Sequence, residues 1–154
     1  MNYWLFKSEP DAFSIEDLFA LPNATDHWDG IRNYQARNLM RDEMKRGDKG
    51  FFYHSSCKVP GVVGEVKIVS EAYDDHTALD KKSKYYDPKA TADNPRWCMV
   101  DVQGVKQYKE VISLSVLKET AGLEAMGLLK RGNRLSVMPV TAEEWRIIRK
   151  MAKR

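Results

Sequence analysis

The run Val62-Val63-Gly64-Glu65-Val66-Lys67-Ile68-Val69, inside residues 61–73, most constrains the fold. β-branched side chains are stiff at χ1, fit a pleated strand and crowd a helix. From Glu65 onward polar and apolar residues alternate, which is the period of a strand with one buried face. Gly64 interrupts the run and predicts a bulge or the close approach of another backbone. A strand needs partners. Short aromatic or β-branched runs at residues 3–7, 49–54, 97–105 and 135–140 supply them.

Helix signals lie between these runs. Ser14 with Asp17 forms a capping box that opens a short helix reaching about residue 21, before Pro22. Residues 22–29 read as a loop. Asn33 caps a helix over residues 34–46, with Leu39, Met40 and Met44 on one core-facing side and Gly47 at its C-terminal stop. Residues 55–60 connect two strands as a hairpin. Residues 74–95 form a polar excursion holding Tyr85, Tyr86, Pro88 and Pro95, and such long loops in compact domains are often functional. Residues 113–119 and part of 120–129 read as helical. Thr141 and Glu144 form a capping box for a C-terminal helix that turns Trp145, Ile148 and Ala152 inward. The sum is an α+β domain of about five or six short strands in a curled or closed mixed sheet, with flanking short helices. The irregular element order, and the lack of a glycine-rich phosphate turn after the first strand, argue against a doubly wound sheet.

With 154 residues, 43% of them hydrophobic, the chain can bury a full core as one domain spanning residues 1–154. A net charge of +3 permits a nucleic-acid partner without requiring one. Basic residues cluster at Lys45, Arg46 and Lys49, at Lys81, Lys82 and Lys84, at Lys130, Arg131 and Arg134, and from Arg146 to Arg154. Cys57 and Cys98 form no CxxC pair, which fits a reduced compartment. His27, His54 and His76 have no metal-ligand spacing, so neither metal nor cofactor is expected. No signal-peptide or membrane-spanning run is visible, so the expected setting is the cytoplasm of a bacterium or the nucleus of a eukaryote.

Residues 28–38 carry the chemistry. Trp28, Asn33, Tyr34 and Gln35 put an indole, a phenol and two amides on a turn entering a helix, flanked by Arg32 and Arg37. Aromatic faces with amide hydrogen bonders suit a flat polar ligand such as a nucleobase, and guanidiniums suit phosphate. Trp28 is the stacking candidate, because its loop offers little apolar context for an indole. Asn33 and Tyr34 are possible readers of a base edge. His54 and Ser55 end a strand together and can line the same mouth. Ser136 can add a hydroxyl. Arg32, Arg37, Arg96, Arg131 and Arg134 are the candidate phosphate contacts. Trp4, Trp97 and Trp145 read as core. No catalytic residue is assigned.

Several motifs resemble the EVE domain family along essentially the whole chain. They are the run from Tyr3 through Lys7, Ser8, Glu9 and Pro10, the segment from Trp28 to Asn38, and Phe52-Tyr53-His54-Ser55. Tyr85-Tyr86-Asp87-Pro88, Pro95-Arg96-Trp97, Arg134-Leu135-Ser136-Val137 and Pro139-Val140 continue the match. The resemblance implies a PUA-like mixed β pseudo-barrel. It also implies binding of modified DNA, RNA or a modified nucleoside, with modified cytosine the class most suggested. It places the Ser8 hydroxyl at the barrel mouth, where sequence alone reads a turn serine. Lys7-Ser8, Trp28 and residues 52–64 look like three parts of the related YTH domains. Those domains hold methyl-adenine in an aromatic cage, of which this chain supplies only Trp28.

Three functions follow. The first is a non-catalytic reader of a modified base, with Ser8, Trp28, Asn33, Tyr34, His54, Ser55 and Ser136 around the pocket. The second is an ASCH-like enzyme acting on nucleic acid or nucleosides, with His54, Lys7, Ser8 and Tyr34 as an acid–base set. The third is a small-molecule or protein-interaction module on the same fold.

Overall fold

The computed structural model describes residues 1–152; Lys153 and Arg154, the end of the last basic cluster, lie outside the described residues. The elements are β1 (Tyr3–Ser8), α1 (Ile15–Ala20), β2 (Thr25–Trp28), α2 (Tyr34–Asp42), β3 (Lys49–His54) and β4 (Gly61–Ile68), followed by β5 (Tyr73–Asp74), β6 (Cys98–Ser113), α3 (Leu114–Lys118), β7 (Val137–Val140) and α4 (Ala142–Ala152). The strands form one seven-stranded mixed sheet in the order β2-β6-β4-β3-β1-β7, with β5 added to β6. This is the expected α+β pseudo-barrel, with seven strands rather than five or six. β1 and β3 run parallel, from Tyr3 opposite Lys49 to Ser8 opposite His54. A parallel pair requires a long crossover. Here α1, β2 and α2 fill it, which brings the end of β2 round toward the end of β1.

The central strands are buried on both faces, so their apolar residues run nearly unbroken. Trp4, Phe6 and Phe52 pack with Ile15 and Leu18 of α1, Met40 of α2, and Val100 and Val102 of β6. Their neighbours Leu5, Phe51 and Tyr53 point the other way, against Ile112, Leu117, Met138, Trp145 and Ile148. At Gly64 the β4–β6 register shifts. A Cβ on Gly64 would lie 2.4 Å from the Lys106 carbonyl oxygen, so the position carries both the bulge and the close approach. The caps form as the residue types require. Ser14 and Asp17 bond reciprocally, Asn33 Oδ1 accepts the Ala36 N–H at 3.0 Å, and Glu144 N–H donates to Thr141 Oγ1 at 3.1 Å.

Some boundaries differ from expectation. Within the supposed loop 22–29, residues Thr25–Trp28 form an edge strand antiparallel to β6, with Trp28 opposite Val100. Thr25, Asp26 and His27 hide it, because an edge strand needs little buried surface. α2 stops at Asp42 rather than at residue 46, where the Met44 N–H reaches back to the Leu39 carbonyl at 3.0 Å. The strand expected over 97–105 continues to Ser113, and that expected over 135–140 starts at Val137. Residues 120–129 hold only the short turn Gly127–Leu129.

Candidate functional site

The crossover delivers Trp28 to the end of the sheet as the last residue of β2. It is not a loop residue: it is 7% exposed and sits in the core. Its ring meets Phe6, Phe13 and Phe52 edge-on, at centroid separations of 5.2, 6.2 and 5.5 Å. The surface it keeps lines a cleft of about 500 Å³ together with Lys7, Ser8, Asp29, Tyr85 and Ser136. The cleft thus collects the end of β1, the end of β2, the long excursion and the approach to β7.

The turn after β2 is tied to the excursion by one buried carboxylate. Asp75 accepts the Gly30 N–H at 3.0 Å, the Arg32 Nη1 at 3.0 Å and the Thr77 N–H at 2.9 Å. Burial pushes the Asp75 pKa up, but the hydrogen bonds from Thr77, Gly30 and Arg32 outweigh it and hold the group below the ordinary carboxylate value. Arg32 also donates twice to the Tyr85 carbonyl, at 2.9 and 2.6 Å. Gly30 has φ +77°, and a Cβ there would come within 2.6 Å of the Tyr85 ring. The turn and the Tyr85 wall can therefore close only over a glycine.

Two charged side chains line the cleft half-buried. Burial lowers the Lys7 pKa. Burial also raises that of Asp29, with His27 opposing the shift and Asp75 and Asp26 adding to it. His27 lies between two carboxylates, Nδ1 3.3 Å from Asp26 Oδ1 and Nε2 3.4 Å from Asp29 Oδ2. The Ser8 hydroxyl donates to the Phe13 carbonyl at 2.6 Å, so it faces a ligand as an acceptor.

Of the expected pocket residues, the structure brings Ser8, Trp28 and Ser136 to the lining of this cleft; His54 and Ser55 sit beside Ser8 without lining it, and Asn33 and Tyr34 lie elsewhere. His54 Nε2 accepts the Ile15 N–H at 3.1 Å, which employs its lone pair in holding α1. Ser55 donates its N–H to the Ser8 carbonyl at 3.0 Å. Asn33 caps α2 and lines a different groove. Tyr34 stacks on Trp97 with centroids 4.7 Å apart, and the guanidiniums of Arg37 and Arg96 lie 4.6 and 5.6 Å from its ring centre. The acid–base set of His54, Lys7, Ser8 and Tyr34 is therefore not assembled. Among the described residues, no three His, Cys, Asp or Glu side chains gather as metal ligands.

The arginines divide likewise. Arg32 is committed to Asp75 and Tyr85, so it is not a free phosphate contact. Arg37 donates to the Arg96 carbonyl at 2.8 Å, and Arg96 pairs with Asp87 at 3.3 Å and with the Tyr34 hydroxyl. Arg131 and Arg134 are exposed and line a second groove of about 720 Å³ with Lys130, Asn33 and Gln35. Leu135 lines that groove and the next residue, Ser136, lines the cleft, so the two share a wall. The residues missed by sequence reasoning are Asp29, Tyr85 and Asp75. Asp29 and Tyr85 lay in noted motifs, where turn and loop contexts explained them. Asp75 carried no signal, because its partner Arg32 is 43 residues away.

A curled mixed sheet with an aromatic-walled polar cleft at one end is a PUA-like pseudo-barrel. The chain belongs to the EVE domain family, whose model matches residues 2–151. Thymocyte nuclear protein 1 of Danio rerio is 52% identical over 162 residues, covering 94% of this chain and 69% of that protein. A crystal structure of a Pseudomonas syringae protein matches with TM-score 0.92 at 53% identity, over 97% of this chain and 99% of that one. Human THYN1 protein in complex with 5-methylcytosine containing DNA matches with TM-score 0.93 at 46% identity, over 100% of this chain and 99% of that one.

Proposed function

We propose that this protein is a non-catalytic reader of a modified nucleobase, modified cytosine foremost, presented in DNA or RNA. One observation carries the reading. The cleft walled by Trp28 and Tyr85 adjoins a basic groove, on the fold that human THYN1 protein has in its complex with 5-methylcytosine containing DNA. A volume of about 500 Å³ is that of an ordinary small-ligand pocket. A base leaving its stack would enter against the indole, with Ser8 and Ser136 at its edge. Arg131, Arg134 and Lys130 would hold the flanking phosphates. No described helix is long and apolar enough to cross a membrane. The finer setting we propose is the nucleus in a eukaryote and the cytoplasm in a bacterium.

Trp28→Ala is a poor test, because emptying a core aromatic site costs about 3–5 kcal/mol of stability. Trp28→Leu and Trp28→Phe keep apolar filling and differ in the stacking face. In titrations with an oligonucleotide holding one 5-methylcytosine, Trp28→Leu is expected to lose about 1–3 kcal/mol of binding and Trp28→Phe to keep most of it. Wild-type affinity in a folded Trp28→Leu protein would overturn the pocket.

A further inference from the structure

The cleft holds more charge than stacking on a base needs, and that charge is arranged. Lys7 forms no ion pair among the described residues, although it is half-buried. Asp29 lines the same cleft and is not paired with it. Its Oδ2 faces His27 at 3.4 Å, and no other side chain among the described residues bonds to its carboxylate. The turn that carries Asp29 is held in place by the Gly30 bond to Asp75, so the carboxylate sits on a fixed wall. Both groups keep contact with solvent, so a ligand that fills the cleft displaces that water and must offer polar atoms in its place.

We infer that Asp29 is a specificity residue: its carboxylate accepts the exocyclic amine of the bound base and selects amino bases against their keto counterparts. This rests on the base-reading function proposed above and names the edge that is read. Cytosine offers an amine at position 4 and acceptors at N3 and O2. Thymine offers a carbonyl at position 4 and a donor at N3. Against Asp29 the amine donates, whereas the thymine carbonyl sets acceptor against acceptor and leaves the carboxylate desolvated. Lys7 can reach only acceptors, which both pyrimidines have at O2, so it adds affinity without this choice.

5-Methylcytosine and thymine share the methyl group and differ at positions 3 and 4, so they make the test pair. Each is placed at the centre of the same duplex opposite an abasic site, which equalises the cost of unpairing. Wild type is expected to prefer 5-methylcytosine about tenfold or more. Asp29→Asn can offer either the carbonyl or the amide NH2, so its preference should fall toward unity by a gain in thymine binding. Lys7→Met should weaken both duplexes alike and keep the ratio. If thermal melting shows Asp29→Asn to be unfolded, Asp29→Ala serves, with the ratio falling through loss of 5-methylcytosine affinity. A folded Asp29 variant that keeps the wild-type ratio overturns the inference while base reading stands. A wild type that binds neither duplex overturns both.

Discussion

At Gly30 the backbone adopts φ +77°, and the Tyr85 ring occupies the space a side chain would need. Any L-residue there meets both a strained dihedral and a clash. Gly30→Ala is expected to cost at least about 1–3 kcal/mol, read as a lower melting temperature, and to loosen the cleft wall even where the fold survives. The neighbouring Asp75–Arg32 pair works by the same economy of space. Asp75 is fully buried and meets a guanidinium, two backbone N–H groups and a hydroxyl, so none of its desolvation goes uncompensated. Arg32 resembles a phosphate contact only until that partner is known.

Between elements, His54 joins the end of β3 to the start of α1 through the Ile15 N–H, a bond that needs an unprotonated Nε2. Burial lowers the His54 pKa, with Glu16 and Asp17 opposing. The folded state therefore binds its proton later than the unfolded chain, whose histidine titrates near 6.5. The resulting stability is present above about pH 6.5 and is lost as pH falls through the depressed folded value. Melting temperature measured from pH 8 to pH 5 should fall more in wild type than in His54→Gln, whose amide oxygen can accept the same N–H at any pH. Equal slopes would show that this contact does not titrate. Helix starts were legible because capping is local: Ser14, Asn33 and Thr141 each bond within three residues. β2 was not, because its three polar residues acquire strand identity only by pairing with β6.

For the molecule as a whole, the cleft and the basic groove share the segment from Arg134 to Ser136. If the groove carries the phosphate backbone, Arg131→Ala or Arg134→Ala should each lower the slope of log affinity against log salt by about 0.7–0.9 and leave base preference intact. Arg32→Ala should behave differently, lowering the melting temperature through the uncompensated Asp75 carboxylate. Salt titrations of binding beside thermal melts separate the two kinds of arginine. An unchanged slope in both groove variants would move the phosphate path elsewhere.

The residues alone specify the class of fold, because side-chain period, β-branching and capping are local properties. Val62 to Ile68 must be a strand, Gly64 must mark an irregularity, and Ser14, Asn33 and Thr141 must open helices. Local chemistry also pointed to Trp28 as a cleft residue, and the family resemblance to Ser8. Which of the other polar side chains are free was decided only in three dimensions. A lone pair or guanidinium is available to a ligand when no partner from another element has taken it. His54 was taken by α1, Arg32 by Asp75 and the Tyr34 hydroxyl by Arg96, whereas Lys7 and Asp29 were left facing the cleft. Those partners lie tens of residues apart along the chain; the parallel crossover between β1 and β3 brings α1 to His54, and the pairing of β2 with β6 brings the excursion back beside Arg32 and Tyr34.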